Sequence, residues 1–107
     1  MKWKVEYLKK SLKDLKSLDH SQQLQVLKAI DKVSQNPLPN FEGGYGKPLG
    51  NKSSTNLTGY FKIKLLKLGI RVVYGLVKER GIMKIIVISI RQDETVYQIA
   101  EIGRAHV

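Results

Sequence analysis

The sequence predicts a small single α/β domain of the α+β type, in which a strand and a helical hairpin pack on a mainly antiparallel sheet of about four strands. Three observations support this fold class. The chain of 107 residues is long enough for one hydrophobic core but not for two, so residues 1–107 form one domain. Apolar residues recur at helical spacing between Leu8 and Val33. In the second half they alternate with polar residues, as in half-buried strands.

The N-terminal part predicts a strand and two helices. Apolar and charged residues alternate over Lys2–Tyr7, which is typical of a strand. A first helix of about three turns follows from Leu8. Asp19 and Gln22 form a capping-box pattern that starts a second helix, and this helix must end before Pro37. The two apolar stripes comprise Leu8, Leu12, Leu15, Leu18, Val26, Leu27, Ile30 and Val33.

The segment from Pro37 to Thr58 is predicted to be an irregular loop, because it contains three prolines, several glycines and a polar run. Loops of this length in compact domains are usually functional or mobile. A tolerated insertion explains the segment equally well, since the entropic cost of a longer loop grows slowly.

The most informative stretch is Tyr60–Tyr74, which predicts a β-hairpin with one apolar face and one cationic face. A one-residue slip would bury Lys62 and Lys64, so the pattern selects the register that places both lysines beside Arg71. Directly opposed like charges destabilise a sheet, and the cluster therefore indicates an anion-binding surface. With a loop over Leu66–Gly69, the predicted pairs are Leu65 with Ile70, Ile63 with Val72, Phe61 with Tyr74 and Lys64 with Arg71.

A second hairpin is predicted to follow, with a three-residue loop over Glu79–Gly81 that pairs Lys78 with Ile82. This register decides the two faces of the last strand. It places Ile86, Ile88 and Ile90 towards the core, and Val87, Ser89 and Arg91 beside the cationic cluster.

The charge balance restricts the classes of partner. Nineteen Lys and Arg against nine Asp and Glu give a net charge of +10, which favours nucleic acid, an acidic membrane surface or an acidic protein. A basic protein that needs only solubility is the alternative. Cysteine is absent, no stretch is long enough to span a bilayer, and a cytoplasmic protein is the expectation. No metal or nucleotide motif is present, and His20 and His106 form no catalytic constellation.

The candidate site is a cationic and aromatic constellation that suits one phosphate, with guanidinium groups as bidentate partners and lysines as point charges. A binding patch without catalysis is the more common use of such a sheet face. The candidate catalytic residues are Lys62, Lys64, Arg71, Arg91 and Tyr97, and the candidate RNA-binding residues are Lys47, Lys52 and Lys67.

Several segments carry a resemblance to a known family. They are the run Leu57–Leu65, the run Ile70–Tyr74 after a turn with Gly69, the end of the isoleucine-rich strand at Ser89–Arg91, and Val96–Tyr97. In order and spacing this chain resembles the RelE/ParE superfamily of bacterial toxins from toxin–antitoxin systems, over nearly its whole length. It differs in a shorter connection between the last two segments and a longer loop before the first.

The resemblance implies a strand-helix-helix-strand-strand-strand fold and two alternative activities. RelE-like members cleave messenger RNA in the ribosomal A site without a cofactor, using residues that match the candidate catalytic set. ParE-like members inhibit DNA gyrase and generally lack that set, so its presence favours the RNase. An acidic, partly disordered antitoxin is the expected partner of so basic a chain, together with the ribosome and its message. The oligomeric state of the free toxin stays open.

RNA supplies its own nucleophile, the 2′-hydroxyl, so the chemistry needs a base, stabilisation of a phosphorane and help for the leaving 5′-oxygen. Lys62 or Lys64 is the base in this hypothesis, in its neutral form, which neighbouring cations favour. Arg71 stabilises charge on the phosphate oxygens. Arg91 gives electrostatic help at the leaving oxygen, since a guanidinium is a poor proton donor. Tyr97 stacks on or orients a base, or else caps the sheet edge.

Overall fold

The computed structural model describes residues 2–52 and 55–90. Its elements are β1 (Lys4–Tyr7), α1 (Lys9–Lys16), α2 (His20–Ser34), a 3₁₀ turn (Asn40–Glu42), β2 (Lys47–Lys52), β3 (Thr55–Leu65), β4 (Ile70–Val77), a second 3₁₀ turn (Lys78–Arg80) and β5 (Ile82–Ile90). The five strands form one sheet in the order β1-β5-β4-β3-β2. β1 is parallel to β5, and the other neighbours are antiparallel. The α+β fold class is therefore confirmed.

Helix α2 begins at the predicted capping box, whereas no side chain caps the start of α1. The Asp19 carboxylate accepts a hydrogen bond from the Gln22 backbone at 2.8 Å, and the Gln22 side chain accepts one from the Asp19 backbone at 3.2 Å, so the capping box is confirmed. β1 begins at Lys4 rather than at the predicted Lys2. The Trp3 amide donates to the carbonyl of Ser34 at 2.8 Å, which ties this part of the chain to the end of α2 instead of to the sheet.

The core lies between the helices and one face of the sheet, which we call the core face. Leu12 and Leu27 were predicted to lie in the buried stripes, but they are 39% and 40% exposed because each lies at the margin of its stripe. α1 is fixed to β5 through the Asp14 carboxylate, which accepts a hydrogen bond from the Ile88 amide at 3.1 Å. The buried cluster comprises Leu15, Leu18, Val26, Ile30, Val33, Phe61, Ile63, Ile70, Val72, Tyr74, Met83, Ile85 and Ile88.

The prediction of an irregular loop from Pro37 to Thr58 is wrong for its second half. β2 pairs there with β3 and adds a fifth strand to the sheet, where about four were predicted. The register of this pair shifts between Pro48 and Gly50. An edge strand tolerates proline and irregular pairing, because one side of its backbone needs no partner strand. The Pro/Gly-rich composition therefore indicated a loop where the chain forms an irregular edge.

The predicted register of the β3–β4 hairpin is confirmed. Leu65 pairs with Ile70, Ile63 with Val72, Phe61 with Tyr74 and Lys64 with Arg71. Gly69 ends the loop with φ of +65°, the left-handed conformation for which glycine has no steric penalty.

The register of the β4–β5 hairpin is confirmed only at the end far from its turn. Val77, not Lys78, pairs with Ile82, because the loop contains four residues instead of three. A β-bulge then restores the predicted pairs, since Tyr74 opposes Ile85 while Val73 opposes Val87.

The bulge changes the orientation of the isoleucines. Ile88 lies in the core as predicted. Ile85 takes the core position instead of Ile86, which packs against the cluster on the other face. Ile90 was also predicted to face the core, but it is 54% exposed at the end of β5.

Tyr74 fastens the loop after α2 to the sheet. Its hydroxyl donates to the Pro37 carbonyl at 2.9 Å, and its ring stacks on Phe61 with centroids 5.3 Å apart. Burial raises the pKa of the Tyr74 phenol above its ordinary value. Gly46 passes so close that a Cβ atom there would lie 2.6 Å from the Tyr74 hydroxyl and 2.8 Å from the Pro37 carbonyl oxygen. A side chain at position 46 would therefore force the loop or Tyr74 to shift.

Candidate functional site

The candidate site lies on the face of the sheet opposite the core face. Side chains alternate along β3, so Ile63 enters the core while Lys62 and Lys64 point the other way. Residues directly opposed on neighbouring strands share a face. Lys62 is opposed by Lys47 of β2, and Lys64 by Arg71 of β4. We call the surface that carries Lys47, Lys62, Lys64 and Arg71 the basic face.

A small apolar cluster supports the basic face. Leu49, Val73 and Val87 are buried there, and Tyr60 and Ile86 pack against them. Val73 is the cross-strand partner of Lys62, so the aliphatic stem of this lysine has an apolar neighbour while its ammonium can reach solvent. The cluster thus supports the part of β3 from which Lys62 and Lys64 extend.

The three lysines of the basic face have no ion pair with a carboxylate of the described residues. Among residues 2–52 and 55–90, no carboxylate lies within 4.0 Å of Lys47, Lys62 or Lys64. Several ion pairs among the described residues lie away from the basic face. These pairs are Lys2 with Asp31, Lys4 with Glu6, Lys10 with Asp14 and Lys78 with Glu42. An anion that approaches the basic face therefore meets several cations at once.

Arg71 occupies the centre of the site. β4 lies between β3 and β5, and Arg71 is opposed by Lys64 on one side and Ser89 on the other. The side chain is half-buried, and its Nη1 atom is fully buried. Burial of part of a planar guanidinium limits its rotation, which suits bidentate contact with phosphate oxygens.

The other predicted site residues lie farther away or outside the described part. Lys67 is exposed in the β3–β4 loop, three residues after Lys64. Lys52 belongs to β2 but pairs with Thr55, seven positions before Lys62 on β3, so the structure does not bring it to the cluster. Arg91 and Tyr97 lie outside the described residues.

Tyr60 is a site residue that the sequence reasoning missed. It lies two residues before Lys62 and so shares the face of Lys62 and Lys64. The signal was available in the sequence, because the alternation that separates Phe61 from Lys62 also separates Phe61 from Tyr60.

The arrangement suits phosphate binding through its positive charge. Within the described ranges, no group of three or more His, Cys, Asp or Glu side chains could hold a metal ion. His20 is the first residue of α2 and is exposed. In the same ranges, no helix combines the length and apolar character needed to cross a membrane. Among the described residues of this site, the lysines and Arg71 are the groups that can bind phosphate.

Comparison with known proteins identifies the family. The sequence is 30% identical over 100 residues to an Escherichia coli protein described as a RelE-like toxin, and the match spans 94% of this chain and 95% of that protein. The chain belongs to the RelE-like toxin family. No family model matches the sequence.

Solved structures of RelE toxins share the fold. The isolated E. coli RelE toxin superposes with a TM-score of 0.68 at 22% identity, over 96% of this chain and 98% of that one. A doubly substituted E. coli RelE in the free state gives 0.72 at 20% identity, over 97% and 98%. In the RelBE2 toxin–antitoxin complex of Mycobacterium tuberculosis, a matching chain gives 0.68 at 23% identity, over 85% and 100%. At these identities the likeness establishes the RelE fold of this chain.

Proposed function

We propose that this chain is the toxin of a toxin–antitoxin system and cleaves messenger RNA on the ribosome. The observation that carries the proposal is the β3–β4 register, which gathers Lys62, Lys64 and Arg71 on one face of a RelE-like fold. Membership of the RelE-like family supports the toxin role. The half-buried guanidinium beside two lysines supports phosphate as the group that is bound.

The proposed reaction uses the 2′-hydroxyl of RNA as nucleophile. One lysine of β3, Lys62 or Lys64, takes the proton of this hydroxyl, and the 2′-oxygen forms a bond to phosphorus. The bond from phosphorus to the 5′-oxygen then breaks. The second lysine, as an ammonium ion, neutralises the phosphate and supplies a proton to the leaving oxygen. No redox step or metal ion is required for this exchange of bonds.

Arg71 stabilises the transition state in this scheme. Charge on the two non-bridging oxygens increases as the phosphorane forms, and a planar pair of N–H donors matches both oxygens. Arg91 is proposed to stabilise charge at the leaving oxygen, and Tyr97 to orient a base. Lys47 lies beside Lys62 and contacts the message in this scheme, with Lys67 and Lys52 as more distant contacts.

An acidic antitoxin is the proposed protein partner, and the cytoplasm the proposed compartment. The M. tuberculosis RelBE2 and E. coli RelBE structures are toxin–antitoxin complexes, and a net charge of +10 favours an acidic chain here. We expect a neighbouring gene to encode an acidic protein that binds this chain, with an affinity that falls as salt increases. A solitary gene would argue against this partner.

Cleavage of a programmed message tests the activity. The purified chain is added to ribosomes that hold a defined codon in the A site, and the message is mapped by primer extension. We expect cleavage within the A-site codon. Intact message together with inhibited gyrase supercoiling would replace the proposal with the ParE-like activity. RNA that is bound but not cut would indicate an RNA-binding protein without catalytic activity.

Two double variants distinguish a site from general attraction. Lys62→Ala with Lys64→Ala removes two charges from the basic face, and Lys9→Ala with Lys13→Ala removes two exposed charges from α1. We expect the first pair to abolish cleavage and the second to leave it near the parental rate. Equal losses would show that net charge, and not the basic face, governs activity.

A further inference from the structure

Neighbouring residues on the sheet determine where the Tyr60 ring lies. It opposes Gly75 of β4, and a Cβ atom built on Gly75 would lie 3.8 Å from both Cδ1 and Cε1 of the Tyr60 ring. The ring therefore extends across the sheet surface over the glycine. It also packs against the apolar cluster of Leu49, Val73 and Val87.

The second large tyrosine of this hairpin shows the contrast. Tyr74 is fully buried in the core, where its hydroxyl is bound to the Pro37 carbonyl. Tyr60 is only half-buried, on the opposite face. An aromatic ring that is held by its neighbours and keeps part of its surface exposed is suited to stack on a nucleic-acid base.

The spacing along β3 connects this ring to the phosphate-binding residues. Tyr60, Lys62 and Lys64 follow one another at every second position, so neighbouring side chains in this series emerge about 7 Å apart on the same face. A single strand of RNA also presents bases and phosphates in alternation. With a phosphate at Lys62 and Lys64, a base next to that phosphate lies within reach of the Tyr60 ring.

We propose that Tyr60 stacks on the base that flanks the scissile phosphate and so positions the message on the basic face. This inference rests on the proposed function and adds to it a binding residue for single-stranded RNA. Every base has a π-face, so the contact tolerates different sequences while it requires an unstacked base. The role is independent of Tyr97, which lies outside the described residues.

Two substitutions separate stacking from apolar packing. Tyr60→Leu keeps an apolar side chain over Gly75 but removes the ring, and Tyr60→Phe keeps the ring and removes the hydroxyl. We expect Tyr60→Leu to lower single-turnover cleavage at subsaturating ribosomes by about tenfold, and Tyr60→Phe to restore most of that loss. Tyr45→Leu is the matched control, since Tyr45 is an exposed aromatic residue on the loop before β2. It should cleave at the parental rate.

Messages that lack one base supply the decisive readout. Two messages carry an abasic nucleotide on the 5′ or the 3′ side of the cleaved bond. We expect the parent to cleave one of these messages about tenfold more slowly than the intact message. Tyr60→Leu should cleave that message at nearly the same rate as the intact one, because the stacking contact is already absent. Circular-dichroism melting of each variant within a few degrees of the parent verifies folding. Parental cleavage by Tyr60→Leu, or losses that add fully, would overturn the inference.

Failure of the inference and failure of the proposed function give different results. If the parent cleaves and Tyr60→Leu cleaves equally well, stacking is wrong and the RNase activity stands. If the parent does not cleave, equilibrium binding to a labelled single-stranded RNA with and without the abasic nucleotide replaces the rate. Stacking is then supported if Tyr60→Leu and the abasic nucleotide together lower the affinity by less than the sum of their separate effects. It is overturned if the two effects add fully.

Discussion

The core face and the basic face of the sheet are formed by the same strands, but their side chains contribute differently to stability. On β3, Phe61 and Ile63 enter the core and Lys62 and Lys64 lie on the basic face, so neighbouring residues in the chain serve stability and function in turn. The core face gains from burial of apolar surface. The basic face bears the repulsion of Lys64 and Arg71, which oppose each other directly. Substitutions one residue apart should therefore have opposite effects.

The largest expected effect comes from exchanging the residue types at two neighbouring positions, Ile63 and Lys64. Ile63→Lys places an unpaired ammonium at a site that is 9% exposed, and we expect it to lower the free energy of unfolding by roughly 4 kcal/mol or more. Lys64→Ile removes a like-charge pair and should leave stability unchanged or raise it by up to about 1 kcal/mol, while cleavage is lost. Urea unfolding of both variants measures this. An Ile63→Lys protein as stable as the parent would contradict the division into two faces.

A second pair compares glycines that support the two faces. Gly46→Ala places a Cβ atom 2.6 Å from the Tyr74 hydroxyl and 2.9 Å from the Leu38 carbonyl oxygen, and we expect a loss of about 1–3 kcal/mol. Gly75→Ala meets nothing closer than 3.8 Å and should stabilise by up to about 1 kcal/mol, because alanine restricts the unfolded chain. Thermal melting of the two variants decides between them. Equal effects would show that the loop can move away from Tyr74.

A smaller, pH-dependent effect tests the anchor of the core face. Tyr74→Phe removes the hydrogen bond to Pro37 and should cost about 1 kcal/mol near neutral pH. Burial raises the pKa of the folded Tyr74, so this group adds a constant stability below the unfolded value of about 10. The advantage is lost as pH rises above that value, because the unfolded phenol ionises first. Urea unfolding at pH 8 and near pH 11 should show the parent losing its advantage over the variant.

The sequence predicted the β3–β4 register well because errors in it are costly. A slip by one residue would have buried Lys62 and Lys64, and no such penalty attaches to β5. β5 is apolar on both faces over Ile85–Ile88, so a bulge could rotate Ile86 away from the core without exposing it to water. Apolar alternation cannot locate a bulge within such a run. Ser89 lies beside the cationic cluster as predicted, opposite Arg71, only because the longer loop and the bulge compensate for each other.

β2 was missed for a different reason. Its Pro48 and Gly50 are unfavourable in a central strand. The pairing that stabilises β2 comes from β3, and the residues of β2 alone do not reveal this pairing. The consequence for the site was modest. Lys47 was predicted to contact RNA, and only the structure shows that it lies opposite Lys62.

The central claim, that the basic face stabilises a transition state rather than merely attracting RNA, is tested most directly at Arg71. Single-turnover cleavage at saturating ribosomes isolates the chemical step from binding, and Arg71→Lys and Arg71→Ala are compared in that assay. We expect both variants to be slower by on the order of a hundredfold or more, because a lysine keeps the charge but not the paired donors of the guanidinium. A near-parental rate for Arg71→Lys, with Arg71→Ala rescued by lower salt, would contradict the claim and leave Arg71 as a docking residue.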